Sequence, residues 1–190
     1  MIPKSRGDRA QAPSPHHDSL PGSRGAAGVE VRPCAIGRGL FALRAFAPGE
    51  LILRLDGPRY EREDPIHATE QGANLLQTGR RTYILLTDPA VFANHSCDPN
   101  AGVVENRKLV AIRAIEPEDE ITFDYSTTME EDFWTLECRC GAENCRGKVT
   151  DFRNLPEPLR RRYLDLGVVQ GFIAVRERRG NGRKKEEGAA

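Results

Sequence analysis

Apolar residues are scarce at the start of this chain and then arrive abruptly. Residues 1–28 are rich in Pro, Ser, Gly, His and Arg with almost no apolar content, a composition that cannot bury enough surface to offset chain entropy and that predicts a disordered basic tail. From Val29 the stretch VEVRPCAIGRGLFALRAFAPGELILRLDG alternates or bunches Val, Ile, Leu and Phe between glycines and prolines. That pattern predicts several short strands joined by tight turns, with PGE at 48–50 turning between two of them. A polar, poorly patterned stretch from Arg59 to Gly79 predicts a short helix at most. RRTYILLTD, LVAIRAI and EITFDY read as further strands, and PEPLRRRYLDLG as the one late helix, with Pro158 near its start and Gly167 able to cap its end. There is no internal repeat, and RERRGNGRKKEEGAA at 176–190 is a charged tail. The pattern describes a mostly β protein.

Size and charge narrow this further. At 190 residues and 21.1 kDa the chain holds one domain with a core plus short appendages. No apolar run is long enough to span a bilayer, and none follows Lys4, Arg6 and Arg9 as a secretory signal requires. The expected location is intracellular: cytoplasmic, or nuclear in a eukaryote. The 28 basic and 28 acidic residues balance, yet both ends are basic and the segment between residues 29 and 175 is acidic. An acidic body suits a cationic substrate better than a nucleic-acid backbone, although charged solvated faces are common without either role.

The cysteines carry the first chemistry. Cys138, Cys140 and Cys145 in CRCGAENCRG bring three thiols together, with Gly141 and Gly147 letting the backbone fold them inward. Zinc takes four ligands in a tetrahedron, so a fourth must come from elsewhere, and Cys97 is the obvious donor. A site closed by four thiolates leaves no position for water and is structural. The bland alternative is a set of unrelated buried cysteines. Cys34 is left over and receives no role, and the His16-His17 pair lies in the tail. Two further fragments are weak alone. GRG at 37–39 lets backbone approach a ligand but also serves any tight turn, and EITFDY at 120–125 ends a strand with an acid and a phenol.

The order of the fragments lifts them. GRG, NHSCDPN, EITFDY and CRCGAENC follow one another along the chain, and the series resembles the SET-domain protein lysine methyltransferases with a post-SET zinc segment. The resemblance covers residues 29–150. It implies a mostly β SET fold of several small sheets with a pseudoknot, in which the strand with NHSC and the strand with FDY come together, plus a short C-terminal zinc segment and helix. The implied layout is a disordered tail at 1–28, the SET domain at 29–126, the post-SET zinc segment at 127–150, a helical extension at 151–175 and a charged tail at 176–190. It also implies S-adenosylmethionine as methyl donor, structural zinc, and a lysine side chain of a protein as acceptor; the chain's composition predicts no membrane partner, and its acidic middle argues against nucleic acid. With no cysteine-rich region ahead of the domain, a small stand-alone member of a bacterial kind is expected, acting on a protein other than a histone.

Residue by residue, the resemblance makes Tyr125 the active-site tyrosine and places Arg38, Gly39, Leu40, Asn94, His95 and Trp134 around the donor, with core packing the equal alternative for Trp134. Phe123 falls where a Phe or Tyr affects how many methyl groups are added, and Phe points to more than one. Cys97, Cys138, Cys140 and Cys145 are the zinc ligands; Asp98, Pro99 and Asn100 are turn formers. One departure stands out: LDG at 55–57 replaces the Tyr-x-Gly of many members, leaving Leu55, with Tyr60 or Tyr83, to wall the lysine channel. That departure keeps two other readings open, a SET-like binding module without catalysis and, from the basic ends, a zinc-stabilised nucleic-acid binder.

Overall fold

The computed structural model describes residues 28–132 and 134–178; the tails expected at 1–28 and 176–190 lie almost wholly outside them. The chain begins with an antiparallel hairpin, β1 (Val29–Cys34) and β2 (Gly37–Ala42), turned by Ala35 and Ile36. GRG therefore opens a strand rather than forming the turn. β3 (Leu51–Arg54), β8 (Ala101–Val104) and β9 (Lys108–Ala111) form a sheet in the order β3-β9-β8, while β4 (Arg59–Glu61), β5 (Leu75–Gln77) and β6 (Thr82–Leu85) form another in the order β4-β6-β5. The β8–β9 turn places Glu105 and Asn106 at φ 47° and 64°, the left-handed pair that suits the twist of a tight hairpin.

The pairing that organises the site is the smallest. β7 (Asn94–His95) lies parallel to β10 (Thr122–Phe123), with Asn94 opposite Thr122 and His95 opposite Phe123. Parallel neighbours need a crossover, and the whole β8–β9 hairpin lies within it. Asn100 ties this crossover down: its Nδ2 donates to the Glu120 carbonyl at 2.8 Å and its Oδ1 accepts from Thr122 N–H at 2.9 Å. β11 (Leu136–Glu137) and β12 (Lys148–Val149) then pair antiparallel around the cysteine segment.

Two cores result. The larger fills the space between the sheets with Leu40, Phe46, Leu55, Ile84, Leu109 and Ile121 among others; the smaller gathers Phe152, Tyr163, Val168 and Ile173 under the C-terminal helices. The late helix forms as its pattern predicts: α1 (Glu157–Asp165) has Pro158 in its first turn, and Gly167, at φ 69°, ends it by donating to the Leu164 carbonyl. A second helix, α2 over 171–178, carries order past residue 176.

Three expectations need correction. Residues 59–79 hold no α-helix but β4, two 3-10 turns at Pro65–Ala68 and Glu70–Asn74, and β5. Apolar positions are too sparse there for a 3.6-residue face, and at Gly72 the chain folds back so closely that a Cβ would stand 2.8 Å from the Ile66 carbonyl oxygen. β8 was not anticipated, because Ala101 and Gly102 follow a run of turn formers; Gly102 is small because Val168 packs onto it, 2.6 Å from where a Cβ would be. The third concerns repetition. RAFAPGE at 44–50 and RAIEPED at 113–119 form matching turns, in which Ala47 N–H donates to Glu50 and Glu116 N–H to Asp119, at 3.0 and 2.9 Å. Phe46 and Ile115 exchange backbone hydrogen bonds across them at 2.9 and 3.1 Å.

Candidate functional site

The parallel pair delivers its side chains to one place. Tyr125 follows β10 directly and its half-buried ring lies against Phe123 and His95, with centroids 4.9 and 5.4 Å apart. Its hydroxyl donates to the Ala93 carbonyl at 3.0 Å. Burial, and second the negative charge of Glu120, push this phenol well above its ordinary range, so it remains a neutral hydroxyl at physiological pH.

His95 is buried, and its Nδ1 accepts from Tyr125 N–H at 3.2 Å. Burial lowers its pKa to about 4, outweighing the pull of Asp124, so the ring is neutral. With Nδ1 accepting, the hydrogen sits on Nε2, which faces Cys97 Sγ at 3.4 Å. Neither ring nitrogen is free for a ligand.

Asn94 looks the other way. Its Nδ2 donates to the Arg38 carbonyl at 3.0 Å and to Glu120 Oε1 at 2.8 Å, with Cys34 Sγ at 3.5 Å. Gly39 lies beneath, and a Cβ there would stand 2.4 Å from Glu120 Oε1. Arg38 keeps its guanidinium 4.3 Å over the Phe92 ring, so its backbone rather than its charge faces Asn94.

Asp124 anchors the site from behind. It is 1% exposed, and a buried carboxylate needs a full set of partners. Arg146 supplies two contacts, Nη2 to Oδ1 at 2.9 Å and Nη1 to Oδ2 at 2.8 Å. Tyr163 of α1 donates its hydroxyl at 2.9 Å and Ser126 its N–H at 3.0 Å.

The four sulfurs of Cys97, Cys138, Cys140 and Cys145 lie within 4.8 Å of one another. Cys138 is 3.7 Å from Cys97 and 3.6 Å from Cys145. A tetrahedron with zinc–sulfur bonds of about 2.3 Å has edges of about 3.8 Å, so the spacing fits zinc. Backbone N–H groups of Cys97, Arg146 and Gly147 point at Cys140, Cys97 and Cys145 at 3.4 to 3.5 Å, donors that favour thiolates. Burial raises the Cys140 thiol, but the N–H groups of Cys97 and Ala142 outweigh it and bring it to about 7.

The structure thus gathers Arg38, Gly39, Asn94, His95, Phe123 and Tyr125 into one region, with the cysteine cluster joined through His95. Leu40 adjoins it, fully buried, its carbonyl taken by Ile121 N–H at 2.7 Å. Leu55 and Tyr83 do not line a channel here: Leu55 is 0% exposed in the larger core, and Tyr83 is 1% exposed with its hydroxyl on Glu131. Leu55 follows β3 into that core and Tyr83 faces inward from β6, so neither presents surface. Trp134 is half-buried, outside both cores. Sequence reasoning missed Glu120, Asp124, Arg146 and Tyr163. The first two stood within EITFDY, but nothing in the linear order linked them to Asn94 or to a helix forty residues on.

A parallel pair closed around a hairpin and ending on a half-buried tyrosine, backed by a four-cysteine clamp, defines a SET-type fold. Residues 37–126, just under half of the chain, match the family described as SET domain. Among curated proteins it is 32% identical over 128 residues to the Drosophila melanogaster histone-lysine N-methyltransferase SETD1, covering 58% of this chain and 8% of that protein. It is 32% identical over 129 residues to the H3 lysine-4 specific histone-lysine N-methyltransferase of Saccharomyces cerevisiae, covering 57% and 12%. The likeness therefore spans about a tenth of these longer relatives. Among solved structures, KRYPTONITE in complex with mCHH DNA, an H3(1-15) peptide and SAH superposes with a TM-score of 0.52 at 24% identity, over 64% of this chain and 29% of that one. This likeness concerns the fold. Among the described residues no helix is long and apolar enough to cross a membrane.

Proposed function

We propose that this chain is an S-adenosylmethionine-dependent protein-lysine N-methyltransferase with a structural zinc. The observation that carries this is the Tyr125 hydroxyl, held at 3.0 Å on the carbonyl of Ala93, the residue before the Asn94 that reaches the Arg38 carbonyl. Acceptors at the Arg38 carbonyl and the Glu120 carboxylate suit the ammonium end of the donor, and Gly39 lets that carboxylate lie against the strand. When bound, the donor supplies a methyl group on a sulfonium whose sulfur is the leaving group.

The chain's own residues supply position rather than acid–base chemistry. Tyr125 commits its hydrogen to Ala93 and offers its oxygen to the incoming amine. A lysine amine, with an ordinary pKa of about 10.4, must arrive neutral; burial against Phe123 and Tyr125 favours that form, and its proton leaves to water. Phe123 brings no hydroxyl to this wall, which supports transfer of more than one methyl group. Trp134 is assigned to cover the bound ligands, and an acidic body favours a substrate with basic residues around its lysine.

The test is to incubate the purified chain with isotope-labelled S-adenosylmethionine, core histones and a mixture of other cellular proteins, and to map label by mass spectrometry. Label on lysine that vanishes in Tyr125→Phe establishes the enzyme and ranks histones against other targets. Donor binding without label gives the binding module instead, and salt-dependent nucleic-acid binding without label gives the third reading.

A further inference from the structure

Glu120 has only a share of the ammonium contact in the reading above, yet it is built in with care. Its main chain is held on both sides, by a bridge to Phe41 and by Asn100 Nδ2 on its carbonyl at 2.8 Å. Its carboxylate lies flush on strand β2 at Gly39, where any Cβ would meet Oε1 at 2.4 Å. It accepts from Asn94 at 2.8 Å, and its charge is felt at the Tyr125 phenol. The second glycine of GRG thus leaves room for this carboxylate against the strand. Arg38, next to Gly39 on the strand, has its guanidinium over Phe92 at 4.3 Å, and Asn94 is a neutral partner.

A fixed negative charge in this cradle distinguishes the two forms of the cofactor. The donor carries a sulfonium, and its spent form, S-adenosylhomocysteine, is a neutral thioether of nearly the same shape. Hydrogen bonds to the adenine, ribose and amino-acid groups are common to both; only a charge reads the difference. We infer that Glu120 is a specificity-determining residue that makes the site prefer the cationic donor over its spent form, so that product gives way to fresh donor. This rests on the donor assignment above.

Isothermal titration with S-adenosylmethionine and S-adenosylhomocysteine, in the absence of any protein substrate, tests it on the wild-type protein, Glu120→Gln and Glu120→Asp. The ratio of the two Kd values is expected to fall by about tenfold in Glu120→Gln: loss of the shared ammonium contact weakens both ligands alike and cancels in the ratio, while loss of the charge weakens the donor further. Glu120→Asp, which keeps the charge, is expected to retain most of the preference. Parallel weakening of both ligands in Glu120→Gln would mean that Glu120 only shapes the cradle, and overturns the inference. If Glu120→Gln fails to fold by circular dichroism and zinc content, the wild-type protein decides alone: product bound as tightly as donor, or tighter, overturns it. A wild-type protein that binds neither ligand removes the donor assignment itself, a separate failure.

Discussion

Single residues decide how closely the backbone segments of this fold approach one another. At Gly57 a Cβ would stand 1.8 Å from the Leu85 carbonyl oxygen, so strands β4 and β6 can pair only if residue 57 has no side chain. Gly57→Ala is expected to cost more than about 2 kcal/mol in urea unfolding, since backbone must move to make room. Phe123 works by what it lacks. Its ring packs 4.9 Å from that of Tyr125, and Phe123→Tyr places a second hydroxyl there. Mass spectrometry of the modified substrate is expected to show the product shift toward monomethyl-lysine, with donor affinity unchanged within about threefold. The residue types for this chemistry were legible in the chain: the tyrosine, the asparagine–histidine pair and the cysteines all stood in short recognisable runs. Leu55 was misread because LDG shows only a missing aromatic; that the leucine turns into the core, 0% exposed, depends on the path of β3.

At the scale of elements, the C-terminal helix is part of the site's support. Its pattern was plain, but nothing in PEPLRRRYLDLG singled out Tyr163. In the fold its hydroxyl reaches Asp124 at 2.9 Å, next to Tyr125, while Arg146 from the cysteine segment holds the same carboxylate. Helix α1, the cysteine segment and β10 thus meet on one buried charge. Tyr163→Phe is expected to cost about 1–3 kcal/mol, measured by denaturant unfolding with zinc retained, because one partner of a buried charge is lost. Arg146→Met removes the only cation on Asp124 among the described contacts and is expected to cost about 3–5 kcal/mol, the penalty for stranding a buried charge. No loss of stability in Tyr163→Phe would show that the helix is held by its apolar face alone.

For the molecule as a whole, the cysteine cluster sets how the two cores are joined. Cys97 comes from the loop after β7 and the other three sulfurs from the segment bounded by β11 and β12, so a zinc ion there ties the larger core to the smaller. Cys140→Ser, or treatment with a strong chelator, is expected to abolish bound zinc in a metal assay, lower Tm by several degrees or more, and weaken S-adenosylmethionine binding together with it. Unchanged Tm in the zinc-free protein would make the clamp dispensable. The sequence by itself determined the mostly β class, the four motifs in order and the residue types of the site, because strand periodicity, turn chemistry and thiol clustering are local properties of the chain. Only the tertiary structure decided which residues share the site. The parallel pairing of β7 with β10 brings Asn94, Glu120 and Tyr125 together across some thirty residues of chain, and a crossover of that length leaves no periodic signal in sequence. Burial then assigned the roles, turning His95 and Asp124 inward as neutral ring and paired carboxylate while leaving Leu55 to the core.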